Sequence, residues 1–308
     1  MHGTSARRVI DRCTLQLKAD LLYGALFCLL CSAAAGATDW GVDAVAGINY
    51  NDNVSNAIEA ADRKSDGAAI LSMTGGIHQQ LGDSTGLGLN LIADSAGYFR
   101  YAGLDNLGIG ARAQLRHKFG LGALAPWAAF SLRALHRDYH YDYRDGWQYD
   151  AGLATGRRIG ERWQVGASMQ YDRYEADHLQ PAVLPGVSSA AYDVAGWTFG
   201  VQAAFLFTEV DTISISCSRR HGTVTAVTPP DIEILEYSSA VARDPVFSGN
   251  PVAYRFIADT DTLSIGWSRA IGRHASINLG YAYARSQGDE ELGAYTANMI
   301  NFSVSYSR

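Results

Sequence analysis

The densest run of reactive side chains reads LHRDYHYDYRDGWQYD, residues 135–150, and holds His136, Asp138, His140, Asp142 and Asp145. Imidazole and carboxylate are metal ligands and tyrosine rings suit sugar faces, so one reading is a divalent-metal or sugar-binding patch. The other is a hairpin rising above a membrane, with its tyrosines in the interfacial belt and its charges in water. The second is preferred, because alternate residues of a strand point to opposite faces and none of the known metal-ligand spacings is present. No metal and no cofactor are expected.

A second set is basic. Arg112, Gln114, Arg116 and Lys118 alternate along one segment, and Arg133 and Arg137 alternate along the next. Asp43, Asp94, Asp150 and Asp172 occupy the same-facing positions of other segments and are expected to look at the arginines across whatever the segments enclose. Such charges have two uses: a constriction that selects solutes, or a salt-bridge network that fills a narrow interior. Hydrolytic chemistry is not expected, since no serine sits beside a histidine on a matching face and His78, His117 and His274 are scattered singly.

The elements that must position these residues announce themselves by strict alternation, the period of a sheet with two unlike faces. Trp40, Val42, Ala44, Ala46, Ile48 and Tyr50 alternate with Asp43, Gly47, Asn49 and Asn51, and Ile277, Leu279, Tyr281 and Tyr283 alternate with Asn278, Gly280 and Ala282. Comparable segments centre on 69–77, 87–93, 107–115, 128–134, 147–153, 163–171, 197–207, 213–217, 263–267 and 300–306, about twelve strands in all. Short connections at 81–85, 119–124, 160–162, 207–211 and 271–275 alternate with mostly longer polar ones at 52–66, 174–191, 221–255 and 286–294. One greasy face, one small polar face and turn lengths that alternate in step predict an all-β protein: a closed antiparallel transmembrane β-barrel with short periplasmic turns and long outer loops. Trp40, Phe119, Trp163, Phe207, Trp267 and Tyr306 then form one aromatic girdle, and Tyr50, Trp147, Tyr171 and Tyr283 the other. The outward-facing Arg173, Arg219, Arg269 and Arg285 are expected at strand ends, where a charge facing lipid costs least.

The N-terminus supplies the address. Arg7, Arg8, Arg12 and Lys18 precede an apolar run from Leu21 to about Ala35, shorter than the roughly 20 residues a spanning helix needs, and the small residues after it read as a signal-peptide cleavage site. The predicted organisation is a signal peptide over 1–37 and a barrel over 38–308. Losing the leader removes Cys13, Cys28 and Cys31 and leaves Cys217, so no internal disulfide is expected. The formal charge of −6 becomes more negative without the basic leader, which excludes the basic stripe of a nucleic-acid binder. The expected surroundings are the lipids and lipopolysaccharide of a bacterial outer membrane.

GINYNDNVSNA, residues 47–57, resembles the Tyr-Asp-Asp-Asn-Val opening of several families of Gram-negative outer-membrane β-barrel proteins. GYAYARSQGDEELGAYTANMINFSVSYSR, residues 280–308, is similar to their closing hairpin, with an aromatic strand, a polar tip, Tyr-x-x-Asn and a final alternating strand. These families include the barrel domain of the surface lipoprotein assembly modifiers. The resemblance implies a barrel serving surface-lipoprotein or polysaccharide export, with secretion or assembly partners at its outer loops. The inner faces, rich in Gly, Ser, Asn, Gln and arginine, point instead to a passive channel for small hydrophilic solutes, with anions favoured. The sequence departs from the resemblance in two places. No helical-repeat segment stands ahead of the barrel, and the ending Ser307-Arg308 leaves Tyr306 as the nearest aromatic residue for the barrel insertion machinery.

Overall fold

The computed structural model describes residues 38–288 and 293–308. The expected leader and the loop tip at 289–292 lie outside the described residues. Long strands run in sequence: β1 (Thr38–Asn51), β2 (Asp66–Gly82), β3 (Thr85–Tyr98), β4 (Asn106–Lys118), β5 (Trp127–Tyr139), β6 (Gly146–Ile159), β7 (Trp163–Ala176), β8 (Val194–Leu206) and β9 (Asp211–Thr228). A four-residue β10 (Ala240–Arg243) intervenes before β11 (Val252–Ile271), β12 (Ala275–Gln287) and β13 (Ala294–Ser307). Each long strand pairs with its neighbours in the chain, β9 pairs with β11, and β13 pairs with β1, so twelve strands close into a barrel and β10 stands outside the count.

The register shows why alternation was a sound guide. Across β11 and β12, Leu263, Ile265 and Trp267 stand opposite Tyr283, Tyr281 and Leu279, while Ser264 and Gly266 stand opposite Ala282 and Gly280. Like therefore faces like, and the greasy face of every strand joins one continuous outer surface. Leu91, Ile109, Leu132, Leu153, Val201, Ile265 and Phe302 are all exposed on it. Each would forfeit about 1.5–3 kcal/mol by facing water, so this exterior requires a hydrocarbon surround. Trp40, Phe119, Trp163, Phe207 and Tyr306 are exposed at one rim, and Tyr50 and Tyr283 at the other.

The turns at 83–84, 119–126, 160–162, 207–210 and 272–274 lie at one end, and the loops at 52–65, 99–105, 140–145, 177–193 and 229–251 at the other. Two of the tight loops share one build. A helical turn (Ala102–Leu104 or Asp142–Arg144) is followed by an aspartate, Asp105 or Asp145, whose carboxylate accepts the backbone N–H of Tyr98 or Tyr139 at 2.6 Å. The expected loop at 221–255 is shorter than predicted. β9 and β11 run through most of it, paired as far as Thr228 and Val252, and leave 229–251 as the connection.

Those two strands outrun their other neighbours and change the outer mouth. β8 has no partner for β9 beyond Gly222, so the free edge of β9 takes loop segments instead: Val227 N–H donates to the Ser55 carbonyl at 2.8 Å, and Thr225 Oγ1 to the Ala191 carbonyl at 2.6 Å. The free edge of β11 takes β10. A short helix α1 (Ile232–Tyr237), capped by the Asp231 carboxylate on the Glu233 N–H at 2.8 Å, completes the cover. Two apolar clusters fill it, one around Ile234, Val241, Tyr254, Phe256 and Tyr295, the other around Leu104, Ala191, Tyr192, Val227 and Phe247. The outer loops thus build a packed roof.

Arg144 and Asp244 pin this roof. Asp244 has no solvent exposure, it pairs with Arg144 from the 140–145 loop, and the Arg144 guanidinium lies 4.7 Å from the centre of the Tyr192 ring. Burial works against the charge on Arg144, but the charge and hydrogen bond of Asp244, together with Tyr192 and Tyr139, outweigh it and hold the guanidinium protonated.

Two outcomes are expected from this architecture. Unboiled protein should migrate on a denaturing gel apart from boiled protein, because a closed ladder of backbone hydrogen bonds resists detergent; identical bands would contradict a closed barrel. Asp244→Ala should leave that behaviour intact yet expose 229–251 to limited proteolysis, since stranding a buried partner charge costs about 3–5 kcal/mol.

Candidate functional site: the charged wall of the lumen

The inward faces of the strands carry the charges singled out by the sequence, but their grouping differs from expectation. One register row crosses the wall through Asn90, Arg112, Arg133, Asp150, Asp172 and Gly196, on β3 to β8 in order. Two arginines stand side by side, then two aspartates. Like charges directly opposite are destabilising, and the structure relieves them locally. Arg133 Nε donates to Asp150 Oδ2 at 2.6 Å, and Arg220 of β9 clasps Asp172 with two bonds of 2.7 and 3.1 Å. Gln170 Nε2 donates to the other Asp150 oxygen at 2.9 Å. Two inward-facing rows toward the outer end, Arg137 Nη1 lies 2.9 Å from Asp94 Oδ1 and also donates to Asn106.

Asp94, Asp150 and Asp172 therefore do not face the arginines across the barrel. They sit on the same wall as their arginine partners, one or two strands away. Asp43 joins none of this: it is exposed at the periplasmic rim of β1, opposite Ser307 in the ladder, and makes no ion pair among the described residues. Arg112 and Arg116 are exposed to the lumen and likewise make no ion pair among the described residues. Arg116 instead lies 4.4 Å over the inward-facing Trp127 ring, a cation–π contact that leaves its charge in place. The expected four-arginine ladder reduces to two uncompensated charges, Arg112 midway along β4 and Arg116 nearer the periplasmic end, while Arg133 beside Arg112 and Arg137 toward the outer end are compensated.

Two glycines make the clasps fit. Arg137 reaches Asp94 over Gly108, where an added Cβ would come within 2.6 Å of Asp94 Oδ1. Arg220 reaches back over Gly196, where an added Cβ would come within 2.6 Å of its guanidinium carbon. Arg220 was missed at the sequence level, although assigning Arg219 outward places its neighbour inward by the same alternation.

The opposite wall is uncharged. On β11, β12 and β13 the inner positions are Ser264, Gly266, Ser276, Asn278, Gly280, Asn301, Ser303 and Ser305, and Ser276 and Ser305 share a hydrogen bond at 2.6 Å. The lumen has a charged side and a small polar side.

The run 135–150 is distributed by its strands. His136 faces outward, 2.7 Å from Asp177 and 3.3 Å from Asp138, while Asp150 faces inward. Asp142 and Asp145 belong to the tight loop, and no cluster of three metal-ligating side chains occurs among the described residues. Another outward group departs from expectation: Arg219 stands midway along β9 and not at its end, clasped to Asp261 of β11 by two bonds of 2.7 Å. The ends of β9 and β11 extend into the roof, so the last residue of the strand no longer marks the membrane edge.

No family model matches the chain, and no curated protein matches it. Solved structures do. An outer membrane channel from Pseudomonas putida F1 superposes with a TM-score of 0.54 at 11% identity, over 90% of this chain and 97% of that one. The outer membrane channel DcaP of Acinetobacter baumannii gives 0.44 at 10% identity, over 90% and 99% of the two chains. The translocator domain of the autotransporter NalP from Neisseria meningitidis gives 0.45 at 12%, over 95% and 97%. At such identities the likeness is one of fold. A closed antiparallel barrel with an apolar belt between two aromatic rims is a protein of the bacterial outer membrane.

Proposed function

We propose that the barrel is a passive channel for small hydrophilic solutes, with anions favoured in its periplasmic half. The observation that carries this reading is the exposure of Arg112, Gln114 and Arg116 inside a closed wall, where charged and amide side chains meet water and not packed neighbours. An interior filled by a salt-bridge network would have buried them. The paired Arg133 and Arg137 contribute shape and polarity with little net charge, so the selectivity belongs to Arg112 and Arg116, reinforced by Lys118 on the same face. Passage to the outer side requires the roof to yield.

The roof also favours a second reading. Packed outer loops offer a folded surface to protein partners, as an export or assembly barrel would need, and the lumen would then be a scaffold with no traffic of its own. The resemblance of the opening and closing hairpins to the assembly-modifier barrels supports the same view. Neither reading assigns the protein a reaction.

Planar-bilayer recording separates the two. The channel reading expects discrete conductance steps, longer or larger after deletion of 231–251. Its anion preference should fall when Arg112 and Arg116 are both replaced by serine. A trace that stays closed even after that deletion removes the channel and leaves the scaffold.

A further inference from the structure

Beneath the roof, against the outer ends of β5 to β9 and β13, lies a cavity of about 440 Å³. Pockets for small molecules run about 300–1,000 Å³. Four tyrosines contribute to its lining: Tyr139, Tyr174, Tyr192 and Tyr295. Gln148 and Asn56 add amide groups, and Thr223 and Thr225 stand between them.

The charges of the lining cancel. Arg144 is paired with Asp244, Arg220 with Asp172 and Arg173 with Glu175, so no charged side chain of the lining is uncompensated. An ionic solute entering here would have to compete with these pairs. A neutral one with many hydroxyl groups would not. Flat phenol rings with a polar tip fit molecules that are apolar on a ring face and hydroxylated at the edge.

A second observation points the same way. Tyr192 is buried and, with Arg144, lines the cavity, yet Tyr192 Oη and Arg144 Nε have no hydrogen-bond partner among the described residues. Asp244 stands near that phenol and, with burial the larger cause, raises its pKa, but both carboxylate oxygens are already engaged, one by Arg144 and the other by the Val246 N–H at 3.0 Å. Buried polar atoms without partners are uncommon and destabilising. Both atoms are closed off from water, so a solute that presses the roof outward brings them the oxygen partners they lack.

We propose that this cavity is a binding site for a neutral cyclic sugar of one or two rings. The assignment deepens the channel reading and rests on it for the route by which the sugar arrives. The binding itself needs no conduction, and the two ideas can fail separately.

The test is saturation-transfer NMR on the full-length protein folded in detergent, with maltose as probe and mannitol, glucuronate and glucosamine as controls. Maltose should give saturable transfer to its ring protons. Mannitol, which has no ring face, and the two charged sugars should give less. Gln148→Trp, which fills the cavity, should weaken maltose about tenfold or more, with unboiled gel migration confirming the fold. Tyr192→Phe keeps the ring and should weaken maltose about threefold by removing one hydrogen bond. Loss in either variant supports the site. No maltose signal in the wild type, a maltose signal that both substitutions leave unchanged, or a stronger signal from glucuronate overturns it. A barrel that conducts without binding maltose sinks the site and spares the channel; one that binds maltose and never conducts does the reverse.

Discussion

A backbone N–H or C=O that faces hydrocarbon without a partner costs several kcal/mol, and no water is present to supply one. Every other feature of this chain follows from satisfying that requirement. The ladder must have no edge, so the last strand returns to the first: β13 pairs with β1 from Asn51–Met299 to Asp43–Ser307, and Val42 and Arg308 exchange two bonds of 2.9 Å beyond it. Once the ladder closes, alternate side chains have only two places to go. The lipid takes the greasy set, and the inner set can be anything that tolerates water or its neighbours.

That division explains what could be read from the residues and what could not. Strand count, facing and the order of turns follow from local alternation, because lipid imposes one side of the pattern on every strand. Strand length was harder. Past Cys217 the outward positions of β9 become Arg219 and His221, and before Leu263 those of β11 are Asp259 and Asp261, so the pattern stops although the backbone ladder continues to Thr228 and Val252. Backbone pairing does not depend on what the side chains are. The partner of each inner charge was harder still. That Arg137 finds Asp94 depends on register across three strands and on the missing Cβ of Gly108, neither of which is written in the neighbourhood of either residue.

The roof obeys different rules from the wall. It stands clear of lipid, so its apolar residues turn inward as in a water-soluble domain, and Leu104, Tyr192, Ile234 and Phe247 are buried while the tryptophans of the barrel are not. Five loops contribute to one end of the barrel, and each would be a poor structure alone. Joined through the free edges of β9 and β11 they share a core that no single segment of the sequence displays. Charge supports the arrangement at one point, Arg144 with Asp244, where packing has removed the water that would otherwise weaken the pair.

The row of Arg112 and Arg133 on β4 and β5 beside Asp150 and Asp172 on β6 and β7 has an electrical meaning apart from any pairing. Positive and negative groups stand in one register row on adjoining strands, so the field they make has a component across the bore. That component exerts a torque on any dipole inside the bore beside Arg133.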